Sequence, residues 1–278
     1  MRNPRALTTL AGAAGVALAL TLLQIPTNTQ PSIATPAASA AVQKQEQPVR
    51  GGSASAFLVD GTEIAYDIDV RGVMVERTSR NKAFSYMTRD FNGKPARWDK
   101  CKPITYMVNT RGMPKEIRQA IPEAIRKVSQ ASGLKFRKGK NTRVIPYSKP
   151  GWESSLWNRG GGVIVIAAGT PRQVPVFAGV GVAGFGGNFW QGNPKGFEVK
   201  VGGVVVNSTA KLNPGFSGGD SSNSYGQLLL HEIGHVMNLG HTTNEKQVMH
   251  PGMLHVMPKD YAGGDRAGFR GMRSLPCF

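Results

Sequence analysis

Three histidines and one glutamate stand close together in "HEIGHVMNLGH", from His231 to His241. On a helix, residues four apart share a face, so His231 and His235 can hold one metal ion between them, with Glu232 to its side. Zinc suits imidazole nitrogen, and two helical histidines leave it short of one protein ligand and an open position for water. His241 supplies the third ligand if the helix stops and the chain doubles back. Asn238 allows that stop, because asparagine tolerates the left-handed conformation of a helix C-terminus better than any residue except glycine. With three neutral imidazoles the ion keeps its charge and can lower the pKa of a bound water to about 7. Glu232 is then placed to take the water's proton and pass it to a leaving amine. All five histidines of the chain, 231, 235, 241, 250 and 255, fall in this one region. A structural zinc site would need a fourth protein ligand, which only His250 or His255 could provide.

The elements that must position these residues can be read on either side. "GQLLLHEIGHVMN" is a helix beginning near Ser222 to Tyr225. Ile104, Tyr106 and Val108 in "RWDKCKPITYMVN" alternate as a half-buried strand. The segment after Pro114 places Ile117, Ile121, Ile125 and Val128 at helical spacing and stops at Gly133, with Pro122 expected to kink or interrupt it. "LKFR", "VIVIAAG" from Val163, the glycine-rich "GVGVAGFGGNFW" and "GGVVVNS" read as three or four further strands. The order predicts an α+β fold, a mixed sheet with two long helices and an irregular C-terminal part.

Before this region the chain is of a different kind. Arg2 and Arg5, an uncharged stretch from Ala6 to Ile25 and the small-residue string "PAASAA" have the layout of an export signal, residues 1–40. An uncleaved membrane anchor is the alternative, and its many Ala, Gly and Thr make the stretch weakly apolar for that role. Residues 26–56 read as linker from their Pro, Thr, Ala, Ser and Gln content. Short alternating runs between Phe57 and Met87 suggest a small hairpin or a prosegment within the region 41–95. Residues 96–278 are then the catalytic domain.

The chain has 34 basic and 17 acidic residues and a formal net charge of +17. Such a field draws a protein to cell-wall polymers, acidic lipids or acidic substrates. No pattern for specific nucleic-acid recognition accompanies it. The two cysteines, Cys101 and Cys277, form an even count in an exported chain and are expected to pair. A bridge closing so long a loop is worth about 3 to 5 kcal/mol.

With its downstream "TTNEKQVMHP", the histidine motif resembles that of the metzincin metalloproteases, in particular a secreted bacterial matrixin-type peptidase. The resemblance covers about Arg97 to Phe278. It implies a mostly parallel five-stranded sheet over the active-site helix, with Met249 in a Met-turn beneath the zinc and a final helix at "GGDRAGFRGM". It also implies that Pro251 and Met253 line a substrate pocket, and that the strand around Gly181 and Ala183 pairs with an extended peptide. Calcium accompanies many such proteins, but no ligand loop for it is readable here. Asn238 stands where the family has glycine, and His250 and Met253 where many relatives have tyrosine. No cysteine-containing prosegment motif is present. The chain is expected to act as a monomer on protein or peptide substrates.

Other matches carry less. "GFSGG" around Ser217 fits a nucleophile elbow but lies in a glycine and serine loop rather than a strand-to-helix turn. "GVGVAG" fits a dinucleotide pattern without the helix that must follow it. The rival from another class is a non-catalytic cationic cell-surface binding protein with a structural zinc.

Overall fold

The computed structural model describes residues 50–58, 64–66, 83–157, 159, 162–178, 181–216, 224–251 and 258–278. The stretch expected to be an export signal and the segment 67–82 lie outside these residues, as do Ser217, Met253 and His255. No described helix is long and apolar enough to cross a membrane.

Twelve elements follow one another: β1 (Arg50–Leu58), β2 (Ile64–Tyr66), β3 (Ser85–Tyr86), β4 (Ile104–Asn109), α1 (Lys115–Ser132), β5 (Phe136–Lys138), β6 (Val163–Gly169), β7 (Val182–Asn193), β8 (Gly196–Asn207), α2 (Tyr225–Val236), β9 (Leu239–Gly240) and α3 (Gly263–Arg273). The main sheet has the order β2-β1-β7-β8-β6-β4-β5. Strands β5, β4, β6 and β8 are parallel, and β7 runs antiparallel to β8. These five form the mixed sheet expected from sequence. Two more strands then extend it, β1 antiparallel to β7 and β2 antiparallel to β1.

The continuous apolar run of β6 is buried along its whole length, as a central parallel strand should be. One face of the sheet packs on the helices: Ile104, Val108, Ile164, Ile166, Val204 and Val206 join Ile117, Ile121, Ile125, Val128 of α1 and Leu228, Leu229, Leu230 of α2. The other face is covered by loops that contribute Trp152, Leu156, Val174 and Phe177.

Two expectations need correction. Helix α1 runs without interruption through Pro122. The proline is on the exposed face, where water can satisfy the carbonyl it deprives of a partner, while the buried isoleucine stripe holds the helix together. Residues 50–56, read as linker from composition, belong to strand β1. Their small side chains are a fit rather than a sign of looseness: a Cβ on Gly51 would overlap the ring of Trp190, and one on Gly52 would come within 2.7 Å of Phe189. Gly133 ends α1 as expected, at φ 71°.

The disulfide between Cys101 and Cys277 is formed, with Cα atoms 5.9 Å apart across 176 residues of sequence. It joins the segment just before β4 to the segment just beyond α3.

Candidate metal centre and its supports

Helix α2 starts at Ser224, whose hydroxyl accepts the Gln227 amide at 3.3 Å, and ends at Val236. Asn238 then takes the left-handed conformation at φ 74°, and the chain turns back so that His241 meets the two helical histidines. The Nε2 atoms of His231, His235 and His241 lie 3.0 to 3.1 Å from one another. His231 and His235 are fully buried and His241 is 7% exposed. Among the described residues the metal-capable group consists of these three, and His250 is not in it. Asp99 with Cys101 and Cys277 forms a second cluster, but its sulfurs are committed to the disulfide.

The tautomers are set from outside the site. Nδ1 of His231 donates to the Val248 carbonyl and Nδ1 of His235 to the Leu239 carbonyl, both at 2.8 Å. A carbonyl can only accept, so each Nδ1 carries the proton and each Nε2 presents a lone pair. Two lone pairs held 3.0 Å apart have no proton to share and repel. A cation between them removes that repulsion, and three nitrogens at this spacing suit one ion with bonds of about 2.0–2.1 Å, as for zinc. Burial, and then the neighbouring imidazoles, push both histidines well below their usual pKa, which keeps them neutral as ligands must be.

Glu232 is fully buried, and neither carboxylate oxygen has a hydrogen-bond partner among the described residues. Burial raises its pKa well above the ordinary carboxylate range. Strand β7 comes so close that a Cβ on Gly184 would stand 2.6 Å from one carboxylate oxygen and a Cβ on Gly186 would stand 2.8 Å from the other. A buried, unpartnered carboxylate is costly, and such a group marks a place where chemistry rather than stability has set the residue.

Met249 is buried beneath this helix, 1% exposed, with its sulfur against Gly234. Its turn is held by a residue that sequence reasoning missed. Asp265 of α3, fully buried, accepts the amides of Val248 at 2.9 Å, Met249 at 3.4 Å and Ala262 at 2.9 Å. It therefore fixes the Val248 peptide whose carbonyl orients His231. Burial lifts the Asp265 carboxyl to about 6.

Segment 83–98 was missed as well. Strand β3 pairs with β9, and the Ser85 hydroxyl donates to the His241 carbonyl at 2.6 Å. Asn238 accepts the Thr88 amide and donates to the carbonyls of Thr88 and Ala96, at 2.8 to 3.0 Å. Trp98 donates to the Val236 carbonyl and Asn188 of β7 to the His235 carbonyl, which satisfies groups left open at the end of α2. The sequence signal available was the alternation around Phe84 and Tyr86; its partner strand was not.

The remaining candidates are placed as follows. Gly181, at φ 80°, leads into β7, and Ala183 on that strand is buried in the core. Pro251 is half-buried just past the Met249 turn.

No protein-family model matches the chain, and no curated protein matches it. Among solved structures it is similar to metalloproteinase-II from Bacteroides fragilis, at 14% identity and a TM-score of 0.38. The match covers 63% of this chain and 53% of that one, so the chain spans about half the length of the protein it resembles.

Proposed function

We propose that the protein is an exported zinc-dependent endopeptidase of the metzincin, matrixin-like type. The observation that carries this reading is the trio of Nε2 atoms 3.0 to 3.1 Å apart beside the buried, unpartnered carboxylate of Glu232. Zinc held by His231, His235 and His241 would supply a polarised peptide carbonyl and a water whose pKa falls to about 7.

The chain's own residues then have distinct tasks. Glu232 takes a proton from the attacking water and delivers it to the leaving nitrogen, so no covalent intermediate with the protein is needed. Val248 and Leu239 hold the two helical imidazoles in the tautomer that presents Nε2. Met249 supports the site from below. Gly181 and Ala183 on the β7 side, and Pro251 and Met253 beyond the turn, are assigned to the substrate. The net charge of +17 favours work near anionic surfaces such as cell-wall polymers.

The test is zinc content together with cleavage of a mixed peptide library, repeated for Glu232→Gln. One zinc per chain and cleavage lost in the variant are expected. A protein that holds zinc and cuts nothing in either form ends the enzyme reading, and cleavage that survives Glu232→Gln ends the mechanism.

A further inference from the structure

We infer that the turn from Arg89 to Lys94 docks on an anionic lipid surface, with the Phe91 ring entering the apolar layer and the cations around it meeting the headgroups. The inference is independent of the endopeptidase reading. Phe91 is 77% exposed, the one large apolar side chain left in water among the described residues. Isolated exposed apolar residues are common on proteins, so exposure alone says little. Two further observations set Phe91 apart.

The first is a stiff support. Arg89 and Pro95 form an antiparallel bridge; between them the Asp90 amide donates to the Lys94 carbonyl at 2.7 Å and the Gly93 amide to the Asp90 carbonyl at 2.9 Å. One carboxylate oxygen of Asp90 accepts the amides of Asn92 at 2.9 Å and Lys94 at 2.8 Å, and the Arg89 guanidinium donates to the Gly93 carbonyl at 2.8 Å. Gly93 supplies the left-handed φ of 75°. Phe91 leans edge-on against Phe197, with ring centroids 5.5 Å apart. A turn tied in this way presents the ring at a fixed place, and its exposure does not come from looseness.

The second is charge. Lys94 is exposed beside the ring, and Lys195 is exposed in the turn between β7 and β8. The two turns meet: a Cβ on Gly196 would stand 2.8 Å from the Asp90 carboxylate. Arg50, also exposed, lies opposite Gln191 at this same end of the sheet. The neighbouring acids are held inward. Asp90 is 8% exposed and its charge acts on the buried Arg97 guanidinium, while Glu198 pairs with Lys200 at 2.8 Å. Around Phe91 the molecule thus turns cations to solvent and keeps these carboxylates inside. Cations alone would serve a soluble polyanion; the bare ring matches a surface that has an apolar interior as well. Each such cation strengthens binding to an anionic bilayer by about fivefold. Burial of the ring adds about tenfold or more.

The experiment measures binding of the full chain to phosphatidylcholine vesicles with and without phosphatidylglycerol, and to soluble polyphosphate. All variants keep the same N-terminus, so the apolar stretch 6–25 contributes equally to each. Phe91→Ala is expected to bind the anionic vesicles about tenfold more weakly and polyphosphate as the parent does. Lys94→Gln/Lys195→Gln should lose about 25-fold on the anionic vesicles, and Lys138→Gln/Lys140→Gln, the same change of net charge on and just beyond β5, much less. In Phe91→Trp the added indole emission, taken as the difference from the parent, should shift to the blue on anionic vesicles and be quenched by lipids brominated in their acyl chains. An indole at position 91 that stays unquenched overturns the inference, as does a parent that ignores anionic vesicles or a Phe91→Ala affinity equal to the parent's. Equal losses in the two lysine pairs reduce the attraction to diffuse charge and overturn it too. A Phe91→Ala loss as large on polyphosphate as on vesicles places the ring on a polymer and has the same effect.

Discussion

Gly234, set between the two helical histidines, lies against the sulfur of Met249 so closely that a methyl group on it would overlap that atom. A glycine inside a helix ordinarily costs about 1 kcal/mol relative to alanine. Here the order should reverse. Gly234→Ala is expected to lower stability by about 1–3 kcal/mol through overpacking, and zinc affinity by about tenfold as the helical imidazoles shift. Denaturant midpoints and zinc titration measure the two effects; a stabilised variant with unchanged affinity would show that Met249 yields freely.

Glu232→Gln should remove hydrolysis and, in the metal-free chain, raise stability by about 1–3 kcal/mol, because a buried carboxylate without a partner is replaced by a neutral amide. The pH dependence has a definite sign. The folded carboxyl holds its proton well above the ordinary 4.5, so the parent loses stability relative to the variant as pH rises above 4.5 toward the folded value. Thermal melts of both metal-free chains at pH 5 and pH 8 check this: the gap must widen at the higher pH.

Asp265 ties the Met249 turn to α3, and Asp265→Ala should weaken zinc binding by about 10- to 100-fold through the loosened Val248 carbonyl behind His231. Its carboxyl stands at about 6 when folded, against 3.8 ordinarily, so the folded chain binds its proton more tightly than the unfolded chain. The stability it adds is therefore fully present below pH 3.8 and is lost, by up to about 3 kcal/mol in all, as pH rises through about 6. Denaturation of both proteins across that range is the measurement, and a difference that grows with pH would contradict the assignment.

Asn238 has two separable roles, a left-handed backbone and a side chain bridging to Thr88 and Ala96. Asn238→Gly keeps the first and loses the second, at about 1–3 kcal/mol. Asn238→Ala loses both, and should cost about 1 kcal/mol more. Equal costs would mean that the backbone conformation contributes nothing.

What could be read in advance, and what could not, follows from the range of the forces involved. His231, His235 and the turn at Asn238 were legible because helical periodicity and left-handed propensity are local. Strands β6 and β8 were legible because their apolar runs are long, β4 because Ile104, Tyr106 and Val108 alternate, and the disulfide because only two cysteines exist. Asp265, Ser85 and Thr88 act across 16 to 156 positions of sequence, and nothing near them in the chain announces their partners. β1 was hidden for a different reason. Its residues carry almost no strand propensity, and only the rings of Trp190 and Phe189 explain why glycines stand there. Pro122 was misjudged because propensity speaks for one residue, whereas the buried stripe of α1 acts for the whole helix.

The main sheet ends on both sides in a strand of three residues, β2 and β5. A sheet edge is a template on which other chains can add, and a short one offers few hydrogen bonds to an incoming strand. At β5 the exposed Arg137 and Lys138 add repulsion between like-charged copies. β7, with twelve residues and long apolar stretches, would be a far more adhesive border. The pairing of β1 along it therefore keeps a strongly cationic chain from knitting to its own copies wherever it is concentrated.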